Sequence, residues 1–155
     1  SPADGDTTSS IVEFHWAATQ DVNLSDQIRY DLYLSTVPDF DPDSTTVYDA
    51  LICSRFTDTL QVDRYYWKVK AYDNWGAETW SNETRQFVYF IHGDANGDGV
   101  IALGDAIYLL NYLFKNGDPP DPLEAGDANC DGSVQVGDAI YILNYLFKNG
   151  PPPGC

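Results

Sequence analysis

The stretch "GDANGDGVIALGDAIYLLNYLFKNG", residues 93–117, returns as "GDANCDGSVQVGDAIYILNYLFKNG", residues 126–150, with 19 of 25 positions identical after a shift of 33. A period of 33 is common in solenoids, but those usually need three or more copies and this chain has two. Each copy opens with an acid-rich turn punctuated by glycine and continues into an apolar run with helical spacing. The repeat therefore predicts a small duplicated loop-helix unit rather than an array.

The spacing of the acids is what gives the loop its chemistry. Asp94, Asn96 and Asp98 stand at positions one, three and five of a twelve-residue loop, with Gly99 at six, Val100 at seven and Asp105 at twelve. The second copy supplies Asp127, Asn129, Asp131, Gly132, Ser133 and Asp138 at the same places. Alternate oxygen-bearing side chains let a tight turn wrap a hard cation. The glycine takes the sharp bend, and the carbonyl at position seven, here Val100 or Ser133, completes the shell. Three carboxylates crowded into one turn would repel one another severely without a cation, so an acidic turn with no metal is the weaker reading. The predicted occupants are two calcium ions. Position nine is Ala102 in one loop and Gln135 in the other, which predicts a water ligand at least in the first and unequal affinities. Little of such a site exists without the metal, so binding is expected to be coupled to folding.

A complete EF-hand loop ends in Glu and follows a helix. Here the last ligand is Asp, and "FVYFIHG" before the first loop reads as a strand entering a turn. Two such half motifs resemble a type I dockerin, a calcium-dependent docking module. The resemblance covers residues 93 to about 150 and implies a cohesin-like protein partner, recognised through loop positions ten and eleven and neighbouring helix residues. Those positions are Leu103-Gly104 and Val136-Gly137, which lack the hydroxyl or basic pairs common in dockerins.

In the helices, Ile107, Leu110, Leu113 and Phe114, with Ile140, Leu143, Leu146 and Phe147, recur at helical spacing and are expected to bury against each other. Gly117 and Gly150 suit left-handed C-terminal caps, and the prolines beyond stop the helices. Tyr108, Tyr112, Tyr141 and Tyr145 then fall toward the other side. With Leu103 and Val136 they form the expected docking surface, although packing on the rest of the chain would use the same tyrosines.

The remainder of the chain follows a different period. From Ile11 to Phe90, short alternating segments separated by turn signals predict an all-β sandwich. "IVEFHW" puts Val12, Phe14 and Trp16 on one face, "IRYDLYLS" does so with Ile28, Tyr30, Leu32 and Leu34, and "YYWKVKAYD" with Tyr65, Trp67, Val69 and Ala71. The segments "FHWAA", "YDLYLS", "YYWKVKAYDNWG" and "WSNETRQF" resemble a bacterial fibronectin type III-like module over residues 1–90. In such modules "SPADGD" follows a first strand, so an edge of the sandwich is expected to lie open to an added strand. The predicted architecture is mixed, with two domains: an immunoglobulin or fibronectin III-like sandwich over 1–90 and a small α-helical calcium module over 91–155.

Charge narrows the function. Twenty-four acids against eight bases give a formal net charge of −16, divided as −9 before His92 and −7 from it onward, which disfavours nucleic acid and anionic membranes as partners. No run approaches the ~18–20 apolar residues of a membrane span, and none reads as a signal peptide. The absence of Met and the initial Ser suggest a mature product or a portion of something longer. Clustered carboxylates are accounted for as ligands, and no nucleophile or acid–base arrangement stands out, so the chain is not expected to be an enzyme.

Three cysteines are present. The proline-rich tail, at about 3.1 Å per residue, can double back along a helix of about 16 Å to pair Cys155 with Cys130, while Cys53 in "ALICSRF" reads as a buried small hydrophobe. Asn23 and Asn82 head possible glycosylation sequons at turns. His15 and His92 read as ordinary surface residues, and Trp75 and Trp80 as exposed stacking surfaces. A calcium-dependent extracellular or cell-surface attachment module with a β spacer is the first functional reading. A self-assembling filament subunit that docks on copies of itself is the second, and a carbohydrate-binding module the weakest.

Overall fold

A computed structural model describes residues 1–9, 11–20 and 27–154. The chain divides into two compact units, Ser1–Leu60 with Arg64–Val88, and Gln61–Asp63 with Tyr89–Cys155.

Among the described residues the first unit has eight strands: β1 (Asp6–Thr8), β2 (Val12–His15), β3 (Arg29–Ser35), β4 (Thr45–Leu51), β5 (Arg55–Asp58), β6 (Asp63–Tyr72), β7 (Glu78–Trp80) and β8 (Arg85–Tyr89). One sheet runs β1-β8-β6-β3-β4, with β7 also paired to β6, and a second consists of β2 and β5. The printed pairings, β2 with β5, β3 with β4 and β6, and β6 with β7, are antiparallel. Period-two alternation works as the sequence implies: β6 buries Tyr65, Trp67, Val69 and Ala71 and leaves Tyr66, Lys68 and Lys70 half-exposed. Phe14 sits at the centre of the core, edge-on to Trp67 at 5.5 Å and to Phe87 at 5.8 Å.

Two side chains of this unit depart from expectation. Asp31, placed outside by alternation, is only 8% exposed because Lys70 Nζ lies 3.2 Å from its carboxylate and the Ala50 N–H donates to it at 3.1 Å. Cys53 is an exposed free thiol, not a buried hydrophobe. "ALICSRF" is apolar enough to read as one strand, but it contains the bend between β4 and β5. Ile52 and Cys53 therefore point to solvent.

The second unit holds α1 (Leu103–Lys115) and α2 (Val136–Lys148), each preceded by one acidic loop. Its core is Leu109 and Ile142, both 0% exposed, with Ala95, Ala106, Ala128 and Ala139. This shifts the expected helix face by part of a turn. Leu110, Leu143 and Leu146 pack only partly against the core, while Ile107, Phe114, Ile140 and Phe147 are exposed. The reason is not local. A Cβ on Gly93, at the start of the first loop, would come within 3.7 Å of Ile142 Cγ1 in the second helix; one on Gly126 would come within 3.1 Å of Leu109 Cδ2 in the first. Each loop thus closes over the other copy's helix, and the residue at that contact becomes the core. The tail also returns across this unit, since a Cβ on Gly93 would meet Pro153 at 2.8 Å.

The helix ends correct another expectation. Asn116 and Asn149, not the following glycines, take the left-handed conformation, with φ of 53° and 54°. Gly117 and Gly150 are needed for space instead: a Cβ on either would lie 3.0 Å from a backbone carbon of Asn111 or Asn144. Gly117→Ala is therefore expected to destabilise the unit by about 1–3 kcal/mol. Asn116→Gly, which relieves the left-handed residue, should be near neutral. Paired thermal melts check both, and equal losses would restore the glycine-cap reading.

Candidate metal centre

The two loops make the same hydrogen bonds. In the first, Asp94 accepts from the N–H of Asp98 at 3.1 Å and of Gly99 at 2.8 Å, and Asn96 Oδ1 accepts from Asp98 N–H at 3.0 Å. Asp98 in turn accepts from Val100 N–H at 3.0 Å. The second loop repeats these bonds from Asp131 to Asp127 at 3.1 Å, Gly132 to Asp127 at 2.8 Å, Asp131 to Asn129 at 2.9 Å and Ser133 to Asp131 at 3.0 Å. Gly99 and Gly132, with φ of 85° and 86°, supply the bend at position six.

Asp105 and Asp138 serve two structures at once. Each is the third residue of its helix and caps it: Asp105 Oδ2 accepts from Ala102 N–H and Asp138 Oδ2 from Gln135 N–H, both at 2.8 Å. Their other oxygens reach back to the loop, accepting from Asn96 N–H at 3.1 Å and Asn129 N–H at 3.2 Å. The helix start and the loop are thereby fixed by one carboxylate, and its charge complements the helix dipole.

Burial makes these groups costly. Asp105 and Asp138 are 0% exposed and Asp94 is 1% exposed. Among the described residues, no basic side chain forms an ion pair with any of the three. Burial pushes the Asp94 carboxyl above its usual range; the Gly99 N–H opposes this, and the neighbouring Asp105 charge adds to it. Backbone N–H groups alone leave an uncompensated cluster of negative charge, and an oxygen-only donor set of this spacing fits a hard divalent cation. Among the described residues, no three His, Cys, Asp or Glu side chains form a metal cluster by themselves. The fit depends on Asn96, Asn129 and the carbonyls of Val100 and Ser133 as well.

The other singled-out residues are distributed as follows. Leu103, Val136 and Tyr145 are exposed. Tyr108 and Tyr141 pack against the helix core, with the Tyr108 hydroxyl donating to the Pro119 carbonyl at 3.2 Å, and Tyr112 is half-buried. His92 is not an isolated surface residue: its Nδ1 lies 3.0 Å from the Asp127 carbonyl oxygen, and its ring meets Phe90 edge-on at 5.0 Å. Cys130 is disulfide-bonded and holds a left-handed φ of 58° where the first copy has Gly97 at 72°. Cys155 and Asn23 lie outside the described residues, while Asn82 is exposed in the connection between β7 and β8. Sequence reasoning missed Ile107, Phe114, Ile140 and Phe147 as surface residues. Their exposures, 50% and 52% for the isoleucines and 69% and 68% for the phenylalanines, are nearly the same in the two copies.

No curated protein matches the chain. Type I dockerin domains are non-catalytic modules that bind calcium and dock onto cohesin domains, and it is the family model of the dockerin type I domain that residues 92–147, with both acidic loops and nearly all of both helices, match.

Proposed function

We propose that the chain is a non-catalytic, calcium-dependent docking module of an extracellular or cell-surface protein, with a fibronectin III-like sandwich as its spacer. Two calcium ions are held by Asp94, Asn96, Asp98, Asp105 and the Val100 carbonyl, and by Asp127, Asn129, Asp131, Asp138 and the Ser133 carbonyl. Calcium supplies positive charge to the loops; the chain's own residues do the rest, fixing the helix starts and presenting the docking face. One observation carries the reading: three fully buried loop carboxylates with which no basic side chain among the described residues forms an ion pair. Two bound ions would bring the formal charge from −16 to −12. No helix among the described residues is long and apolar enough to cross a membrane. Pairing of Cys130 with Cys155 belongs to the same proposal, and mass analysis without reductant should find no free thiol at either.

The docking face is the paired set Leu103, Ile107 and Phe114 with Val136, Ile140 and Phe147, all exposed and apolar. A near-twofold repeat lets either copy meet a cohesin-like partner. Binding to an immobilised cohesin domain should appear in calcium and vanish in EGTA. Ile107→Asp or Ile140→Asp alone should retain binding, and the double variant should lose it at least tenfold. Calcium-dependent oligomers of the chain alone, with no capture by cohesin, would replace that partner with a second copy.

A further inference from the structure

The two loop-helix copies agree at 19 of 25 positions, and the other six are where a partner could tell them apart. Two of the six exchange one aliphatic side chain for another in or against the core, Ile101 for Val134 and Leu109 for Ile142. The remaining four keep some exposure, and all four leave the first copy the more apolar or the more open. Val100 corresponds to Ser133, Ala102 to Gln135, Leu103 to Val136 and Gly97 to Cys130.

The helix faces themselves are matched. Leu103 and Val136, for example, are 47% and 46% exposed. What differs is the surface just before each helix. Val100 is 62% exposed and stands three residues before Leu103, so their Cα atoms are at most about 11 Å apart. Ile101 packs against the core and Ala102 is extended, with φ of −137° and ψ of 177°, so alternation turns Val100 outward. The apolar stripe of the first helix thus continues into its loop. In the second copy the same place holds a hydroxyl, with exposed Gln135 beside it. At loop position four, a Cβ on Gly97 would meet nothing within 4 Å, whereas Cys130 is disulfide-bonded and its sulfur lies 4.0 Å from His92 Nδ1.

We propose that docking is one-sided: the first copy takes the cohesin-like partner in preference to the second, with Val100 and Leu103 as the specificity-determining residues. The inference rests on the docking role given above and adds a direction to it. The partner's matching surface is apolar where it meets the start of α1. Burying one methylene is worth about fourfold in a binding constant. Leu for Val adds one, and Val for Ser removes a hydroxyl that would have to shed water, so a preference of about fivefold is expected when both are partly covered.

The test measures calcium-dependent capture of the full chain by an immobilised cohesin domain, with EGTA as the blank and melts in calcium to show that each variant is folded. Two equivalent faces would share the partner, so spoiling either would cost about twofold. One-sided docking instead predicts a loss of about sixfold for Ile107→Asp and of less than about twofold for Ile140→Asp. Val100→Ser with Leu103→Val should weaken capture about threefold, and adding Ser133→Val with Val136→Leu to that chain should restore it. Equal losses from the two aspartate variants, or the larger loss from Ile140→Asp, would overturn the preference and leave the docking role standing. Failure of the added pair to restore capture would remove Val100 and Leu103 as its determinants. No calcium-dependent capture of the intact chain would overturn the docking role and this inference with it.

Discussion

Excess EGTA will abolish most of the helical circular-dichroism signal, which comes from α1 and α2. The cause is electrostatic. Asp94, Asp105 and Asp138 are essentially inaccessible to water, and among the described residues backbone N–H groups are what offsets their charge. An unpaired buried charge costs several kcal/mol, and domain stability is only about 5–15 kcal/mol. A ligand present at about a thousand times its Kd stabilises the folded state by about 4 kcal/mol per site. Two occupied sites would therefore supply an energy comparable to the whole stability of a unit this small. Far-ultraviolet spectra and melts in calcium and in chelator measure the effect; helical signal and Tm that do not move would show that the loops hold themselves.

Ile142→Ala and Leu109→Ala are each expected to destabilise the second unit by about 2–5 kcal/mol, since both side chains are fully buried and leave a cavity. The more informative consequence crosses between copies. Ile142 lies beneath Gly93 at the first loop, and Leu109 beneath Gly126 at the second. Truncating the helix of one copy should therefore weaken calcium binding by the loop of the other, most clearly in the early part of a titration. A loss confined to the loop of the mutated copy would mean that each loop-helix folds on its own.

The loops were readable because their chemistry is local: position, residue type and the glycine bend all lie within twelve residues, and the hydrogen bonds follow that spacing. Strand alternation was readable for the same reason, as Tyr65, Trp67, Val69 and Ala71 show. The buried helix face was not. In "AIYLLNYLF" nearly every position is apolar, so periodicity permits several faces, and the choice between Ile107 and Leu109 is made by Gly126 of the other copy. Likewise nothing within "ALICSRF" marks the bend that exposes Cys53, and His92 meets Asp127 35 residues away. Asn rather than Gly at the helix ends misled differently. Both residue types tolerate the left-handed region, and the deciding factor was the backbone behind Gly117.

Calcium stoichiometry under native mass spectrometry bears most directly on the account, because the duplicated loop is its foundation. The intact chain is expected to carry two ions, Asp105→Asn and Asp138→Asn one each, and the double variant none. A chain that carries no calcium, or variants that still carry two ions, would contradict it.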